Sequence, residues 1–468
     1  MAQHERDIGW RSAAVRRSGV AWSGCQVGMR ADGLSARAAR VFQAAMVPVM
    51  RAAVAVHFRR VQVLHGERVP PEGAVLLLAN HPSTWTDVLL LDAALGRRFH
   101  FLAQEEQFHP WPRMALLRLY GTLPLSSREH RADAMERNAA TFQRCEALFD
   151  RGEGVAAFPE GISLVDRGLL PLKHGAARLA LSYASRRAGR SLSLVPVGLH
   201  YSDRTAFRSD VTVSVGEAIP AGEWLSPQAG DREAAASRLT ERMAGAIGAL
   251  VLESGDHRHE RVFSALEPLA AGDAGSLELE TARRLAQALA GWRRSRPADF
   301  ARLEREAHVL ERTSRALGVS VPALGERSRA DPAGAQLALL VGAVPALAGL
   351  AVHALPALLT RAATRRYASE PSQVAFARIA SGFLFFGSAY GAGIALLLAV
   401  ARVHASLLLL LVPLSVLLGA ITLSYAERLR CEYERARLAC LSRRHGRLVL
   451  RARRARAFLL GQLDRLRS

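Results

Sequence analysis

Lysine and cysteine are both scarce in this sequence of 468 residues. The four cysteines, Cys25, Cys145, Cys431 and Cys440, have neither the spacing of a metal site nor that of a disulfide framework, so we expect reduced thiols and no metal. Residues 1–40 lack a long apolar core, which excludes a secretory signal there. No internal repeat is evident, and the G-x-S-x-G motif of serine hydrolases is missing.

Arginine carries almost all of the positive charge, because Lys173 is the only lysine. Lys+Arg number 62 against 42 Asp+Glu, which gives a net charge of +20. This excess predicts an anionic partner, either nucleic acid or the anionic face of a membrane. The arginines lie largely in the N-terminal leader and beside apolar segments, without interleaved aromatics. We therefore expect a membrane with anionic lipids as partner, and no nucleic acid.

The first 69 residues precede the segments that carry chemistry. Residues 1–40 are Arg-rich and are predicted to be a disordered basic leader, or an over-extended gene start in which Met29 or Met46 begins the protein. Residues 41–69 are amphipathic and basic, which predicts a helix on the membrane surface that leads into a first strand.

Short apolar runs alternate with helical segments over residues 70–227. The runs that indicate strands are GAVLLLAN, RRFHFLAQ, GVAAFPEG, LSLVPVGLHY and VTVSVGEAI. This alternation predicts an α/β fold with a largely parallel sheet flanked by helices. Residues 228–334 are charged and have helical periodicity, which predicts a helical extension.

Residues 335–425 contain three long apolar segments, at 337–359, 382–401 and 405–424. Each approaches the length that crosses a bilayer. The last two are separated by three residues and are predicted to form a helical hairpin, and arginines on both of its flanks place those flanks in the cytoplasm.

The first apolar segment is expected to behave differently from the hairpin. It contains Gly342, Pro345, Gly349 and Pro356, which weaken a straight helix. A re-entrant or surface-lying segment keeps the α/β unit on the cytoplasmic side of the cytoplasmic membrane, whereas a spanning segment is the alternative. Residues 426–468 are predicted to form a basic helix that favours anionic headgroups.

The stretch VLLLANHPSTWTDVLLLDAAL places a histidine and a carboxylate between two apolar runs. His81 follows a predicted strand, and Asp87 lies six positions later. A carboxylate beside a histidine fixes the imidazole tautomer and raises its basicity. The pair is therefore a candidate for deprotonating a hydroxyl that attacks an electrophile, although a histidine and an aspartate at this separation also occur by chance.

A second polar stretch, FPEGISLVDRGLLPLKHGAARLAL, combines a Pro-Glu-Gly turn with a basic cluster. Lys173 and Arg178 lie five positions apart at a predicted helix start. Ammonium, guanidinium and free backbone N–H groups can converge there on a phosphate. The alternative is a surface turn with solvated charges.

Three blocks, NHPSTWTD, FPEGIS…PLKHGAARLAL and VPVGLHYSDRTAFRSDVTVSVG, resemble the PlsC-like family of glycerolipid acyltransferases. The resemblance covers residues 70 to about 220, in the family's block order. It implies transfer of an acyl group from acyl-CoA or acyl carrier protein to the hydroxyl of a glycerol phosphate or a lysophospholipid. The branch it indicates has a hydrophobic C-terminal extension.

The resemblance also implies roles for individual residues. His81 would be the general base and Asp87 its orienting partner, while Glu160 and Gly161 would shape the acceptor's glycerol-phosphate pocket. Pro196 would be structural. The reaction would use no covalent enzyme intermediate and no cofactor, with the acyl donor as co-substrate.

Two features depart from the common family pattern. Five residues instead of four separate His81 from Asp87. The branch that this chain resembles, in which a proline follows the histidine as Pro82 does here, is expected to share this longer spacing. The block GTLPLSSREHR displaces the arginine that the family uses for phosphate, so that either Arg128 or Arg131 could take this role. The irregular arginine block favours one alternative function, a non-catalytic lipid-binding or membrane-shaping protein built on an acyltransferase fold.

Overall fold

The computed structural model describes most of the chain after residue 32. The described residues are 33–109, 111–126, 134–162, 169–187, 190–225, 232–252, 257–272, 277, 279–325, 332–399 and 404–467. The predicted leader over residues 1–40 therefore lies almost entirely outside them. Arg128 and Arg131, the two candidates for the phosphate-binding arginine, also lie outside the described residues.

One sheet forms the centre of the N-terminal half. Its strands are β1 Arg60–Leu64, β2 Ala74–Ala79, β3 Phe99–Gln104, β4 Leu123–Leu125, β5 Gly154–Ala157, β6 Leu192–Tyr201, β7 Asp210–Val215 and β8 Ile219–Pro220. The spatial order is β1-β7-β6-β2-β5-β3-β4, and β8 pairs with β6. Strands β6, β2, β5, β3 and β4 run parallel, whereas β7 is antiparallel to β6.

Helices cover both faces of this sheet. They are α1 Gly33–His57, α2 Thr84–Ala94, α3 Trp111–Tyr120, α4 Ala134–Asp150, α5 Gly175–Arg186 and α6 Arg232–Gly248. One core packs α4, α5 and α6 against one face, and the other packs α1 and α2 against the opposite face. The all-apolar run of β2 is fully buried because both of its faces are covered. The predicted α/β fold with a largely parallel sheet flanked by helices is confirmed.

A second unit is entirely helical. It contains α7 His257–Ala271, α8 Leu279–Ser295 and α9 Pro297–Leu317, which share a hydrophobic core with the C-terminal helix α13 Gly446–Arg467. The chain divides differently here from the sequence prediction, since α6 packs into the α/β core rather than with the helices that follow it. Periodicity identifies these helices, but it does not reveal which core receives each apolar face.

Three long apolar helices lie between α9 and α13 in the chain: α10 Pro332–Tyr367, α11 Val374–Ala399 and α12 Ala405–Arg444. Within the described residues, each is long and apolar enough to cross a membrane. Helix α10 continues through Pro345 and Pro356, so the glycines and prolines that were expected to weaken a straight helix do not interrupt it. Small residues let a neighbouring helix approach instead, as where Gly349 lies against Leu418 and Thr422.

The arrangement of α11 and α12 differs in part from a simple hairpin. Both helices pack along α10 and make few contacts with one another, and residues 400–403 between them lie outside the described part of the chain. The predicted basic tail consists of two helical segments, the charged second half of α12 and the packed helix α13.

Candidate active site

The polar residues of the first two sequence blocks meet at one edge of the sheet. Strands β2 and β5 are parallel neighbours, with Leu78 paired to Ala157, so the residues that follow both strands leave the same edge. Asn80 and His81 follow β2, and the Pro-Glu-Gly turn follows β5. The carboxyl edge of a parallel sheet is the usual place for a ligand site in α/β folds.

His81 and Asp87 form a hydrogen-bonded pair. The distance between His81 Nδ1 and Asp87 Oδ2 is 2.9 Å, and the histidine side chain keeps 17% of its surface exposed whereas the aspartate has none. Since an ionised carboxylate only accepts, Nδ1 carries the proton and Nε2 carries the free lone pair. This tautomer is the one that a general base requires.

Two further donors fix the Asp87 carboxylate. The Ser83 amide donates to Oδ2 over 2.7 Å, and the Tyr201 hydroxyl donates to Oδ1 over 2.6 Å. Burial, together with the Asp87 charge, raises the pKa of the Tyr201 phenol well above its ordinary value, so the phenol keeps its proton and donates. Asp87 also lies in the first turn of α2, where the helix dipole favours a negative charge.

Phe158 and Glu160 position His81 from the β5 side. The Phe158 ring stacks on the imidazole, with 3.9 Å between the ring centroids and 15° between the planes. The Glu160 carboxylate accepts the His81 amide at 2.8 Å and the Leu170 amide at 3.1 Å. Burial raises the pKa of the Glu160 carboxyl, and these two amides oppose that rise.

Glu160 therefore braces the turn that carries His81. Its two oxygens are occupied by backbone donors and the residue is 4% exposed. The role predicted for it in shaping the acceptor pocket stays a prediction, and the geometry adds this second role.

Gly161 and Lys173 lie in direct contact. Gly161 adopts a φ of 75°, and a Cβ on it would lie 2.9 Å from Lys173 Nζ, so a side chain would collide with the lysine. The Gln104 amide donates to the Gly161 carbonyl, and the Lys173 amide donates to the Pro159 carbonyl. Lys173, the only lysine in the sequence, therefore packs against the turn that follows β5, and it lies two residues before the start of helix α5.

Arg178 is paired with a carboxylate of another helix. It forms a two-point ion pair with Glu233 of α6, in which Nη2 and Oε1 are 2.6 Å apart. Both side chains are partly exposed, and a phosphate contact would require Arg178 to leave this partner. The assignment of Arg178 to phosphate stays a prediction, as do those of Arg128 and Arg131.

Sequence reasoning missed several residues that hold the pair in place. Tyr201 lies inside the third block, but only the fold shows that the end of β6 reaches Asp87. Asn80 bridges β2 to β6 through the Leu199 amide and carbonyl, and it stood in the first block without an assigned role. A third case is Ser372, whose carbonyl accepts from the hydroxyls of Ser83 and Thr84 across almost 290 positions.

A protein-family model matches the part of the chain that contains this site. Residues 60–200 match the family model described as Acyltransferase. No curated protein matches the chain. Among solved structures, the chain is similar to the crystal structure of the 1-acyl-sn-glycerophosphate (LPA) acyltransferase, PlsC, from Thermotoga maritima, at 16% identity and a TM-score of 0.33, over 44% of this chain and 80% of that one.

The family model spans the strands from β1 to β6 and includes His81, Asp87, Glu160, Gly161, Lys173 and Arg178. The resemblance predicted from the three sequence blocks is thereby confirmed, and residues 60–200 of this chain form a domain of the acyltransferase family.

Proposed function

We propose that this protein is a membrane-bound acyltransferase that acts on glycerolipids. It moves an acyl group from acyl-CoA or acyl carrier protein to the hydroxyl of a glycerol phosphate or a lysophospholipid, with 1-acylglycerol 3-phosphate and glycerol 3-phosphate as the leading acceptors. The observation that carries the proposal is the His81–Asp87 pair at 2.9 Å, placed within the acyltransferase domain.

The proposed reaction proceeds in one displacement through a tetrahedral intermediate. His81 Nε2 takes the proton of the acceptor hydroxyl, while Asp87 stabilises the imidazolium that forms. The acceptor oxygen attacks the thioester carbonyl, the C–S bond breaks, and the leaving thiolate receives the proton from His81. The products are an ester and a free thiol, so atoms and charges balance without a metal or cofactor.

Lys173 is the proposed contact for the acceptor's phosphate. Its ammonium lies against Gly161 beside the turn that follows β5, and the free amides at the start of α5 lie close by in the chain. A compact ammonium fits against the bare glycine backbone, whereas a planar guanidinium there would be bulkier. An acceptor without a phosphate would leave this charge without a use.

Membrane attachment supports the same substrate class. The three apolar helices are long enough to hold the protein in a bilayer, where lysophospholipids and acylated products reside. We place the catalytic domain at the cytoplasmic membrane, on its cytoplasmic side, where acyl-CoA and acyl carrier protein are available. Anionic lipids are the proposed surface for the basic chain.

Thiol release from acyl-CoA by membranes that contain the protein tests this proposal. We would supply glycerol 3-phosphate, 1-acylglycerol 3-phosphate or an uncharged monoacylglycerol, and repeat the series with acyl carrier protein as donor. Release that requires a phosphorylated acceptor is expected, and Lys173→Ala should then raise the acceptor KM while leaving the donor KM unchanged. Failure with every donor and acceptor would refute the proposal and favour a lipid-binding or membrane-shaping role.

A further inference from the structure

A short segment between the apolar helices α10 and α11 lies against the catalytic loop. We call residues 368–373 the α10–α11 junction; it contains a single turn of 3-10 helix, Pro371–Gln373. Ser372 is 1% exposed, although the residues on either side of it are more accessible. The junction is therefore buried at one point, where it meets the α/β unit.

The buried point is a hydrogen-bonded contact with the loop that carries His81. The Ser372 carbonyl accepts from Thr84 Oγ1 at 3.0 Å and from Ser83 Oγ at 3.3 Å. A buried carbonyl needs a donor, and here the donors are Ser83, which precedes α2, and Thr84, the first residue of α2. The contact therefore pairs the Ser372 carbonyl with the Ser83 and Thr84 hydroxyls.

The two loop residues in this contact are the ones whose conformation matters for the pair. The Ser83 amide donates to the same Asp87 oxygen that contacts His81. Thr84 has a φ of 35°, which is an unfavourable backbone conformation for a residue with a branched side chain. A strained residue persists only where its surroundings hold it, and the Ser372 carbonyl holds the Thr84 side chain.

Neighbouring contacts anchor the junction to the same surface. The ring centroids of Trp85 and Phe376, at the start of α2 and of α11, lie 6.0 Å apart. Arg378 donates to the Thr205 carbonyl over 3.2 Å and lies over the Phe207 ring. These contacts reach α2 and the segment between β6 and β7, so the first turns of α11 are fixed against the α/β unit.

We propose that the α10–α11 junction is a positioning element of the active site. Through the Ser372 carbonyl it fixes Ser83 and Thr84, and through them the orientation of Asp87 toward His81. The Ser372 contact then links the apolar helices α10 and α11 to the segment that carries the proposed general base His81. The catalytic part of this inference rests on the proposed function, whereas its structural part does not.

Variants on both sides of the contact test the inference in full-length protein in lipid vesicles. Thr84→Val keeps the shape of the side chain and removes the donor, and Phe376→Ala or Arg378→Gln loosens the junction about 290 residues away. Arg366→Gln is the matched control, since Arg366 is an exposed arginine in the last turn of α10. Two readouts are needed, hydrogen–deuterium exchange of the amides of residues 80–88 and the steady-state kinetics of transfer.

We expect faster exchange over residues 80–88 in Thr84→Val, Phe376→Ala and Arg378→Gln, with strands β5 and β6 unaffected and Arg366→Gln equal to wild type. We also expect kcat to fall about five-fold in Thr84→Val with little change in either KM. The double variant Thr84→Val/Phe376→Ala should lose less than the product of the two single losses, because both break the same contact.

Unchanged exchange over residues 80–88 in Thr84→Val, Phe376→Ala and Arg378→Gln would overturn the inference, as would a raised KM in these variants with kcat at the wild-type value. The exchange readout does not depend on activity. A wild-type protein that transfers no acyl group would therefore refute the proposed function alone, and exchange would still decide whether the junction holds the loop.

Discussion

Three donors contact the Asp87 carboxylate, two from the segment that follows β2 and one from the end of β6. His81 Nδ1, the Ser83 amide and the Tyr201 hydroxyl all point at one carboxylate that has no exposed surface. A buried carboxylate stays ionised only when such donors replace its water. Because each oxygen is held, the carboxylate cannot rotate away from the imidazole.

Removing the Tyr201 hydroxyl tests this view of Asp87. Tyr201→Phe keeps the ring and removes one hydrogen bond to a charged group, so we expect kcat to fall about ten-fold while both KM values stay within two-fold of wild type. The measurement is steady-state thiol release at saturating donor. A change confined to KM would show that Tyr201 shapes a substrate pocket instead.

His57 gives a prediction about stability and pH. It is 2% exposed, and burial, with a smaller effect of Arg378, lowers the pKa of its imidazole from 6.5 to about 4. The folded protein therefore keeps His57 neutral at a pH where the unfolded chain protonates it. Stability from this residue is complete above pH 6.5 and is lost as the pH falls toward 4, by about 3 kcal/mol in total.

The His57→Gln variant isolates that contribution, because glutamine does not titrate. We would measure the free energy of unfolding of both proteins by denaturant titration in detergent between pH 7 and pH 4. Between pH 7 and pH 4, the free energy of unfolding of the wild type should fall by about 3 kcal/mol more than that of His57→Gln. Two curves that stay parallel would contradict the assignment.

At the scale of single residues, the sequence predicted the pair but not its supports. His81 and Asp87 stand in one block, six positions apart, so a local pattern suffices to find them. Tyr201 lies 114 positions from Asp87 and reaches it only through the sheet order, and Ser372 lies 289 positions from Ser83 and reaches it only through the α10–α11 junction. Glu160 was found, although its backbone-bracing role was not, because hydrogen bonds to amides leave no trace in composition.

The apolar helices contact the α/β unit at separate places. The α10–α11 junction contacts the α/β unit at Ser83, and the middle of α12 contacts it through an ion pair between Arg208 and Glu427. Near the other end of α10, Gly342 lies against Tyr425, two positions before Glu427. Both ends of α10 are therefore close to the soluble part of the chain.

This arrangement predicts that α10 does not carry the chain to the opposite side of the membrane. In a Cys25→Ser/Cys431→Ser background, Ser369→Cys in the junction and the exposed native Cys440 should both react with a membrane-impermeant maleimide. Labelling of both from the same side, in vesicles of one orientation, is the expected result. Labelling from opposite sides would show that α10 spans the bilayer.

Sequence patterns identified the strands and apolar helices, but they did not identify how these elements pack against one another. The strands and apolar segments were found because periodicity and length are local properties. The unbroken course of α10 was not, since Pro345 and Pro356 are accommodated by a long helix that packs on its neighbours. Whether a proline breaks a helix depends on those neighbours, which a single segment does not encode.

At the scale of the whole molecule, the described residues form three hydrophobic cores and a group of apolar helices, all in one basic chain. The core formed by α7, α8, α9 and α13 brings residues 252–324 together with residues 438–463, so the chain returns to its soluble part after the apolar helices. Exposed arginines lie along this return, at Arg443, Arg444, Arg447 and Arg451. They are available to attract anionic headgroups or substrates.

The net charge of +20 predicts a salt dependence of activity that is separate from membrane attachment. Raising the ionic strength from 0.1 M to 1 M shortens the screening length from about 10 Å to about 3 Å. We expect activity on vesicles with anionic lipid to fall several-fold, while apolar helices keep the protein bound. Release of the protein by salt, or equal salt effects on zwitterionic vesicles, would show that the charge acts elsewhere.

The most direct test of the account asks whether His81 is the base. We would compare wild type, His81→Ala and His308→Ala, an exposed histidine on α9, in the thiol-release assay with a phosphorylated acceptor, and verify membrane retention of each. The account predicts a loss of at least about 100-fold for His81→Ala with unchanged retention, and wild-type rates for His308→Ala. Transfer by His81→Ala within a few-fold of wild type would contradict it.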